Sequence, residues 1–260
     1  MKSYLLVPLM AVISAASCSG SILMLDFGPT DVTLTPAMLT NSPYHTVAGA
    51  GFTDTSWNMV QTADVSSLTY SDGTAATGVT VNLGVAPNGS TTVNLATAPP
   101  NSNALGGVVK NGVYGDGSVG RDGIFGINGQ GQSLGIQVTG LKAGTYDIYI
   151  VGRNTNISDS VAKSYAVTGA AGVNFDFSGP TPVTINYSNL TPTASWQDGV
   201  NYSHHTVVVA EGSALNIATQ GSGVENRGFL NSIQIVQQIP EPAVAVLLIP
   251  GLLAMRRRRA

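Results

Sequence analysis

Short apolar runs that alternate with polar residues, and never recur at helical spacing, constrain this chain more than any other feature. Val79, Val81 and Leu83 are separated by Thr80 and Asn82; Leu134, Ile136 and Val138 by Gly135 and Gln137; Tyr146, Ile148 and Ile150 by Asp147 and Tyr149. The theme returns at Val207 and Val209, at Leu215 and Ile217, and at Ile233 and Ile235, and residues 21–27 form a short apolar run at the start. Successive strand residues face opposite sides of a sheet, so period 2 with Val, Ile, Thr and Tyr marks half-buried strands. Between the runs stand Asp72-Gly73, Asn88-Gly89, Ala143-Gly144, Ser178-Gly179-Pro180, Asp198-Gly199 and Glu211-Gly212. Glycine reaches positive φ without steric cost, so these are turns. No window of about 11 residues between the ends carries an amphipathic helix. Residues 20–238 are therefore expected to form one all-β domain, a sandwich, with Tyr146, Ile148 and Ile150 facing its interior and Asp147 and Tyr149 on the other side. Residues 84–133, rich in Gly, Asn, Ser and Pro, are expected as long loops with short strands near 108–114 and 124–127. Loops on a rigid β scaffold are where binding usually resides.

Charge narrows the function classes. Only 10% of residues are charged, against about 25% in ordinary soluble domains. Residues 18–239 carry six Lys and Arg against thirteen Asp and Glu. A mildly acidic body rich in Thr and Asn offers no attraction to nucleic acid.

Both ends read as addresses. Lys2, an uncharged apolar run at 4–16 and the small residues Ser14 to Ser19 have the order of a secretory signal peptide, assigned to residues 1–19. Cys18 is the single cysteine, so it has no disulfide partner within the chain; it lies at the expected cleavage region, where lipidation is the alternative. Residues 239–260 hold three parts in sequence: Pro240-Glu241-Pro242, thirteen uncharged residues at 243–255, and Arg256, Arg257, Arg258 and Arg259. Thirteen helical residues rise about 20 Å against about 30 Å of hydrocarbon, a short span whose Arg block stays cytoplasmic. This tail resembles the PEP-CTERM sorting signal. The resemblance implies an exosortase as processing partner, transient contact with the membrane through a short transmembrane helix, and a destination at the cell surface or extracellular matrix of a Gram-negative-type bacterium that secretes polysaccharide.

Three further stretches resemble galactose-binding-like jelly rolls: Asp26-Phe27-Gly28 the opening strand, Lys142-Ala-Gly-Thr-Tyr-Asp-Ile-Tyr-Ile-Val-Gly152 a central one, and Arg227-Gly-Phe-Leu-Asn-Ser-Ile-Gln-Ile-Val236 the closing one. The resemblance implies a single jelly-roll sandwich that binds carbohydrate, and a structural calcium at ligands the sequence does not place.

Candidate chemistry is sparse. Gly131-Gln-Ser-Leu-Gly135 matches G-x-S-x-G, but Ser133 opens a strand and no helix follows, so the nucleophile elbow is missing. His204 and His205 are adjacent and face opposite ways in a strand, which disfavours shared metal ligation. Asp116, Ser118 and Asp122 place oxygens at spacings that suit calcium, although position twelve of the loop is Ile127 rather than an acid. Trp196 lies among Asp198, Asn201 and Tyr202; with Arg153 these are the candidate sugar-binding residues, the alternative being that both tryptophans pack on the core. With no readable catalytic constellation, the sequence points to a non-enzymatic surface protein, structural or adhesive toward extracellular polysaccharide. A dedicated carbohydrate-binding module is the first alternative, a polysaccharide lyase or hydrolase the second.

Overall fold

Strand β1 (Ile22–Phe27) is buried along its whole length. This fits a strand covered on both faces, and its partners explain the cover. In the computed structural model, which describes residues 20–29, 36–103, 111–156, 160–187, 194–223 and 226–239, fifteen strands appear. After β1 come β2 (Asn58–Val60), β3 (Thr80–Ala86), β4 (Thr92–Asn94), β5 (Asn101–Asn103), β6 (Gly123–Phe125), β7 (Ser133–Thr139) and β8 (Gly144–Val151). The second half adds β9 (Ser160–Ala170), β10 (Asn174–Asp176), β11 (Val183–Tyr187), β12 (Ser203–Val209), β13 (Ser213–Ser222), β14 (Phe229–Leu230) and β15 (Ser232–Gln237). A five-stranded sheet has the order β12-β8-β15-β1-β2 and a seven-stranded sheet the order β10-β4-β3-β7-β13-β9-β11; β14-β6-β5 form a small third sheet. All pairings are antiparallel except β1 with β2. The expected all-β sandwich is thus present; the signal peptide and residues 240–260 lie outside the described residues.

The main core lies between the two large sheets. Leu23, Leu25 and Phe27 of β1, Tyr146, Ile148 and Ile150 of β8, and Ile233 and Ile235 of β15 meet Val81 and Leu83 of β3, Leu134, Ile136 and Val138 of β7, and Leu215 and Ile217 of β13. Each fully buried aliphatic side chain contributes about 1.5–3 kcal/mol. The face assigned to β8 from its alternation is the one observed.

The opposite face of β8 is not the half-wet surface the sequence implied. Tyr149 is buried in a second cluster with Ile22, Met24, Val151 and Val236, covered by Val113, Tyr114, Val119, Trp196 and Tyr202 from the connections between strands. Asp147, expected on a plain surface, accepts from Thr206 Oγ1 (2.7 Å) and Gln238 Nε2 (2.7 Å) and lies 3.0 Å from His204 Nε2. These bonds hold its carboxyl below the usual range although partial burial pushes the other way. His204 also stacks on Tyr149, with ring centroids 4.8 Å apart. His205 pairs with Ile148 and so faces inward; burial, then the neighbouring His204, lowers its pKa to about 4, and it is neutral at neutral pH.

On the outer face of the seven-stranded sheet, Gly84, Gly135 and Ala218 sit side by side in β3, β7 and β13. A Cβ at Gly135 would stand 2.6–2.7 Å from Val93 and Phe175, so the missing side chain lets the β4–β10 ribbon lie across the sheet. The second glycine of G-x-S-x-G is therefore a packing residue. Ser133 opens β7 with its hydroxyl buried, as a strand residue and not an elbow.

Some local expectations need correction. The turn before β8 is made at Gly140 (φ 76°), while Gly144 is already in the strand. Residues 112–114 form a 3-10 turn, not a strand. Among the described residues two short α-helices appear, α1 (Pro36–Leu39) and α2 (Pro43–Ala48), the latter with Ser42 as its cap and Pro43 in its first turn, a start that needs no amphipathic repeat. No helix among the described residues is long and apolar enough to cross a membrane.

Candidate functional site

The candidate sugar-binding residues do not form an open site. Trp196 is buried; its Nε1 donates to Asn41 Oδ1 (3.0 Å) and its ring meets Tyr114 edge-on. Asn201 serves its own loop, accepting from Gln197 N (2.8 Å) and donating to Ser195 O (2.8 Å). Tyr202 lies in the second cluster. Arg153 is fully buried, its guanidinium 4.9 Å from the ring centre of Tyr114 and 4.8 Å from that of Tyr187. Only Asp198 of the five is exposed. Asn201, the amide beside Trp196, bonds to the backbone of its own loop, which is why the composition imitated a ligand site.

Nor do the candidate calcium ligands converge. Asp116 is exposed and paired with Arg121 Nε at 3.0 Å. Ser118 donates its hydroxyl to the Val113 carbonyl. Asp122 is turned inward and fully buried. Among the described residues no three His, Cys, Asp or Glu side chains come together. Asp122 instead adjoins Asp26: a Cβ on Gly28, two residues after Asp26 and just past the end of β1, would stand 2.0 Å from Asp122 Oδ2. Burial first, and the Asp122 charge second, push the Asp26 carboxyl well above the usual carboxylate range.

Among the described residues, an open site lies at the end of the sandwich where the two ends of the described chain meet. Gln237 N donates to Ser21 O (3.2 Å) and Gln238 N to Thr145 O (2.8 Å), pinning the last residues of β15 beside the start of β1. Turns from separate parts of the chain meet there. One hollow of about 310 Å³ is lined by Ser21, Asp54, Tyr70, Ser71, Asp72 and Thr74. A second, of about 320 Å³, is lined by Thr139 to Lys142 and by Glu211 to Ser213. A narrow cleft of about 10 Å³ shares Ser21 and Tyr70 with the first and Leu141 and Lys142 with the second, so the three hollows adjoin along one grooved face.

The groove walls are fixed. Tyr70 N donates to Thr74 O (2.8 Å) and Gly73 N to Tyr70 O (2.9 Å), with Gly73 at φ 84°. Asp72 Oδ1 accepts from Thr74 Oγ1 (2.6 Å) and Thr74 N (2.9 Å); these bonds lower its pKa and keep it ionised. Asp54 accepts from Ser71 Oγ at 2.6 Å, while its carbonyl oxygen lies 2.8 Å from His45 Nε2. Burial lowers the His45 pKa. Tyr146 OH donates to Lys142 O (2.7 Å), bracing the far turn; burial, then Tyr70, pushes this hydroxyl up to about 12, so it remains a donor. The result is a row of acceptors and hydroxyls along one half-buried tyrosine ring, with one exposed Lys and one exposed Glu at the far end. Such an array suits a ligand dense in hydroxyl groups. Sequence reasoning read these residues only as turns; their one shared signal was Tyr70 immediately before Ser71-Asp72-Gly73.

No family model matches this chain, and no curated protein does either. Among solved structures it is similar to the YxiM protein of Bacillus subtilis, at 11% identity and a TM-score of 0.33 over 84% of this chain and 40% of that one. It is similar to the TmCBM61 module in complex with beta-1,4-galactotriose, at 10% identity and a TM-score of 0.28 over 60% of this chain and 88% of the module. A third likeness is to the Podospora anserina GH26-CBM35 beta-(1,4)-mannanase, at 12% identity and a TM-score of 0.27 over 62% of this chain and 29% of the enzyme. The chain thus spans less than half the length of the first and third. At these TM-scores the likenesses give no residue of this chain a role.

Proposed function

We propose that this chain is an exported, non-enzymatic surface protein whose sandwich, a jelly roll of the galactose-binding-like kind, holds extracellular polysaccharide in the groove at its terminal end. One observation carries the binding reading: an open groove joins a tyrosine ring to fixed carboxylates and hydroxyls. Sugar rings stack their C–H faces on aromatic rings while their hydroxyls bond to such groups. Asp54 and Asp72 are each engaged by a hydroxyl donor, an arrangement that suits binding rather than proton transfer. On a glycan array the protein is expected to retain a neutral polysaccharide or its oligomers, and Tyr70→Ala to weaken that retention about tenfold, the loss of roughly one aromatic contact. The melting curve of the variant is read alongside, because Tyr70 also packs on the core. Retention by the folded variant equal to the parent's removes the groove from the account.

Export and sorting rest on the sequence of the two ends. Under this reading an exosortase acts at Pro240-Glu241-Pro242, and the apolar segment and Arg256 to Arg259 are lost from the mature protein. Mass spectrometry of surface protein is expected to find a C-terminus near the Pro-Glu-Pro motif. A mature chain ending at Ala260 contradicts it.

A further inference from the structure

The chain leaves the sandwich beside the groove, and it leaves without slack. Gln238 N donates to Thr145 O (2.8 Å) and Gln238 Nε2 to Asp147 Oδ2 (2.7 Å), so two bonds hold the exit residue on β8. Gln237, one residue earlier, lines the narrow cleft together with Tyr70 and Lys142. A Cβ at Gly20 would stand 2.3 Å from the Gln237 carbonyl oxygen, and Gly20 and Ser21 border the hollow that holds Asp54 and Asp72. Entry to and exit from the folded body thus both lie on the rim of the groove.

The sequence after Gln238 sets a distance. Only Ile239 and Pro240-Glu241-Pro242 separate it from the uncharged run at 243–255 and the four arginines that follow. The five residues from Gln238 to Ala243 reach at most about 17 Å when fully extended. Headgroups occupy about 5–8 Å on each side of the hydrocarbon. With Ala243 at the hydrocarbon edge, Gln238 therefore stands no more than about 10 Å above the lipid surface. The far end of the sandwich is a full strand away: β9, which runs toward the groove end, has eleven residues and is about 35 Å long.

We propose that the anchored tail holds the groove against the bilayer and keeps it shut to polysaccharide until the tail is lost. The proposal rests on the reading of the groove as the binding site and of residues 243–259 as a membrane segment, and adds a regulation of that site. The block is steric. A polymer strand has to enter sideways, through a gap of about 10 Å between headgroups and groove walls. Charge does not draw the face onto the membrane, because Asp54, Asp72 and Glu211 outnumber Lys142 along the lining and offer no attraction to anionic lipid. The tether alone sets the separation, so a longer tether removes the block.

The test uses residues 20–260, which retain every strand and leave out the single cysteine, Cys18. Cysteines are introduced one at a time, as Ala171→Cys on the lining of the second hollow and Asn128→Cys at the far end; both positions are exposed. Each variant is reconstituted in phosphatidylcholine vesicles whose headgroups carry a nitroxide. A fluorophore at position 171 is expected to be quenched and one at 128 to remain bright. A bulky poly(ethylene glycol) maleimide is expected to react several-fold more slowly at 171 than at 128. A spacer of twenty Gly and Ser residues between Ile239 and Pro240, about 25 Å in root-mean-square length, is expected to remove both differences. A chain that does not float with the vesicles, an unquenched label at 171, or quenching and reaction rates that the spacer leaves unchanged overturns the proposal. Neither readout uses a sugar, so this result is separate from that of Tyr70→Ala on the glycan array, which tests the groove as the binding site.

Discussion

Ile148→Asp is expected to leave little folded protein at room temperature. Ile148 is fully buried at the centre of β8, between β12 and β15, and faces the main core. Its cross-strand neighbours are Ile235 and His205, and the latter is held neutral. An aspartate there loses the burial of the isoleucine and adds a carboxylate with no partner in an apolar environment, a loss of several kcal/mol. A domain stable by about 5–15 kcal/mol cannot absorb much of that. Asp147→Asn, one residue along, is the informative control. A plain surface position would cost under about 0.5 kcal/mol. Asp147 instead gathers His204, Thr206 and Gln238, so a loss of about 1 kcal/mol is expected, since hydrogen bonds to a charged group are the stronger kind. Thermal melts rank the two. Equal losses would mean that the strand is inverted.

Gly140→Ala is expected to be the most damaging single-methyl change in the turns. Gly140 has φ 76°, and a Cβ there would stand 2.0 Å from the Gly78 carbonyl oxygen. Left-handed backbone costs a non-glycine residue about 1–2 kcal/mol, and overpacking against a neighbour that cannot yield adds about 1–3 kcal/mol. The obstacle is backbone, so no rotamer change relieves it. Gly199→Ala is the matched comparison: its φ is 70°, but nothing lies within 4 Å of the added methyl, so only the conformational term remains. Gly140 also begins the turn that carries Leu141 and Lys142 into the groove, so Gly140→Ala is expected to weaken ligand binding as well as stability. Urea midpoints of the two variants that fall by the same amount would contradict the role given to the Gly78 contact.

Which strands were legible follows from what fills their inner faces. β3, β7, β8, β13 and β15 place Val, Leu, Ile or Tyr there, and their alternation showed at once. β9 has eleven residues and pairs with β13 along its length, yet its inner positions include Ala162, Ser164 and Ala166, too small or polar to register as an apolar period. The second cluster was hidden for a different reason. Val113, Tyr114, Val119, Trp196 and Tyr202 come from irregular connections distant in sequence, where no periodicity operates. The groove was hidden in the same way. Asp54, Tyr70, Lys142 and Glu211 are assembled only because antiparallel strands return their turns to one end. Trp196 misled because a large aromatic beside Asn and Asp looks alike whether the amides bond to a sugar or, as Asn201 does, to their own loop.

The most direct measurement of the central claim is a backbone amide NMR titration of the protein with an oligosaccharide retained on the array. If the terminal groove is the binding site, shift changes gather at Ser21, Tyr70 to Thr74, Leu141, Lys142 and Glu211 to Ser213, and the amides near Asp198 remain still. Changes centred on 196–202, or on the opposite end around Ile127, with the groove amides unmoved, would contradict it.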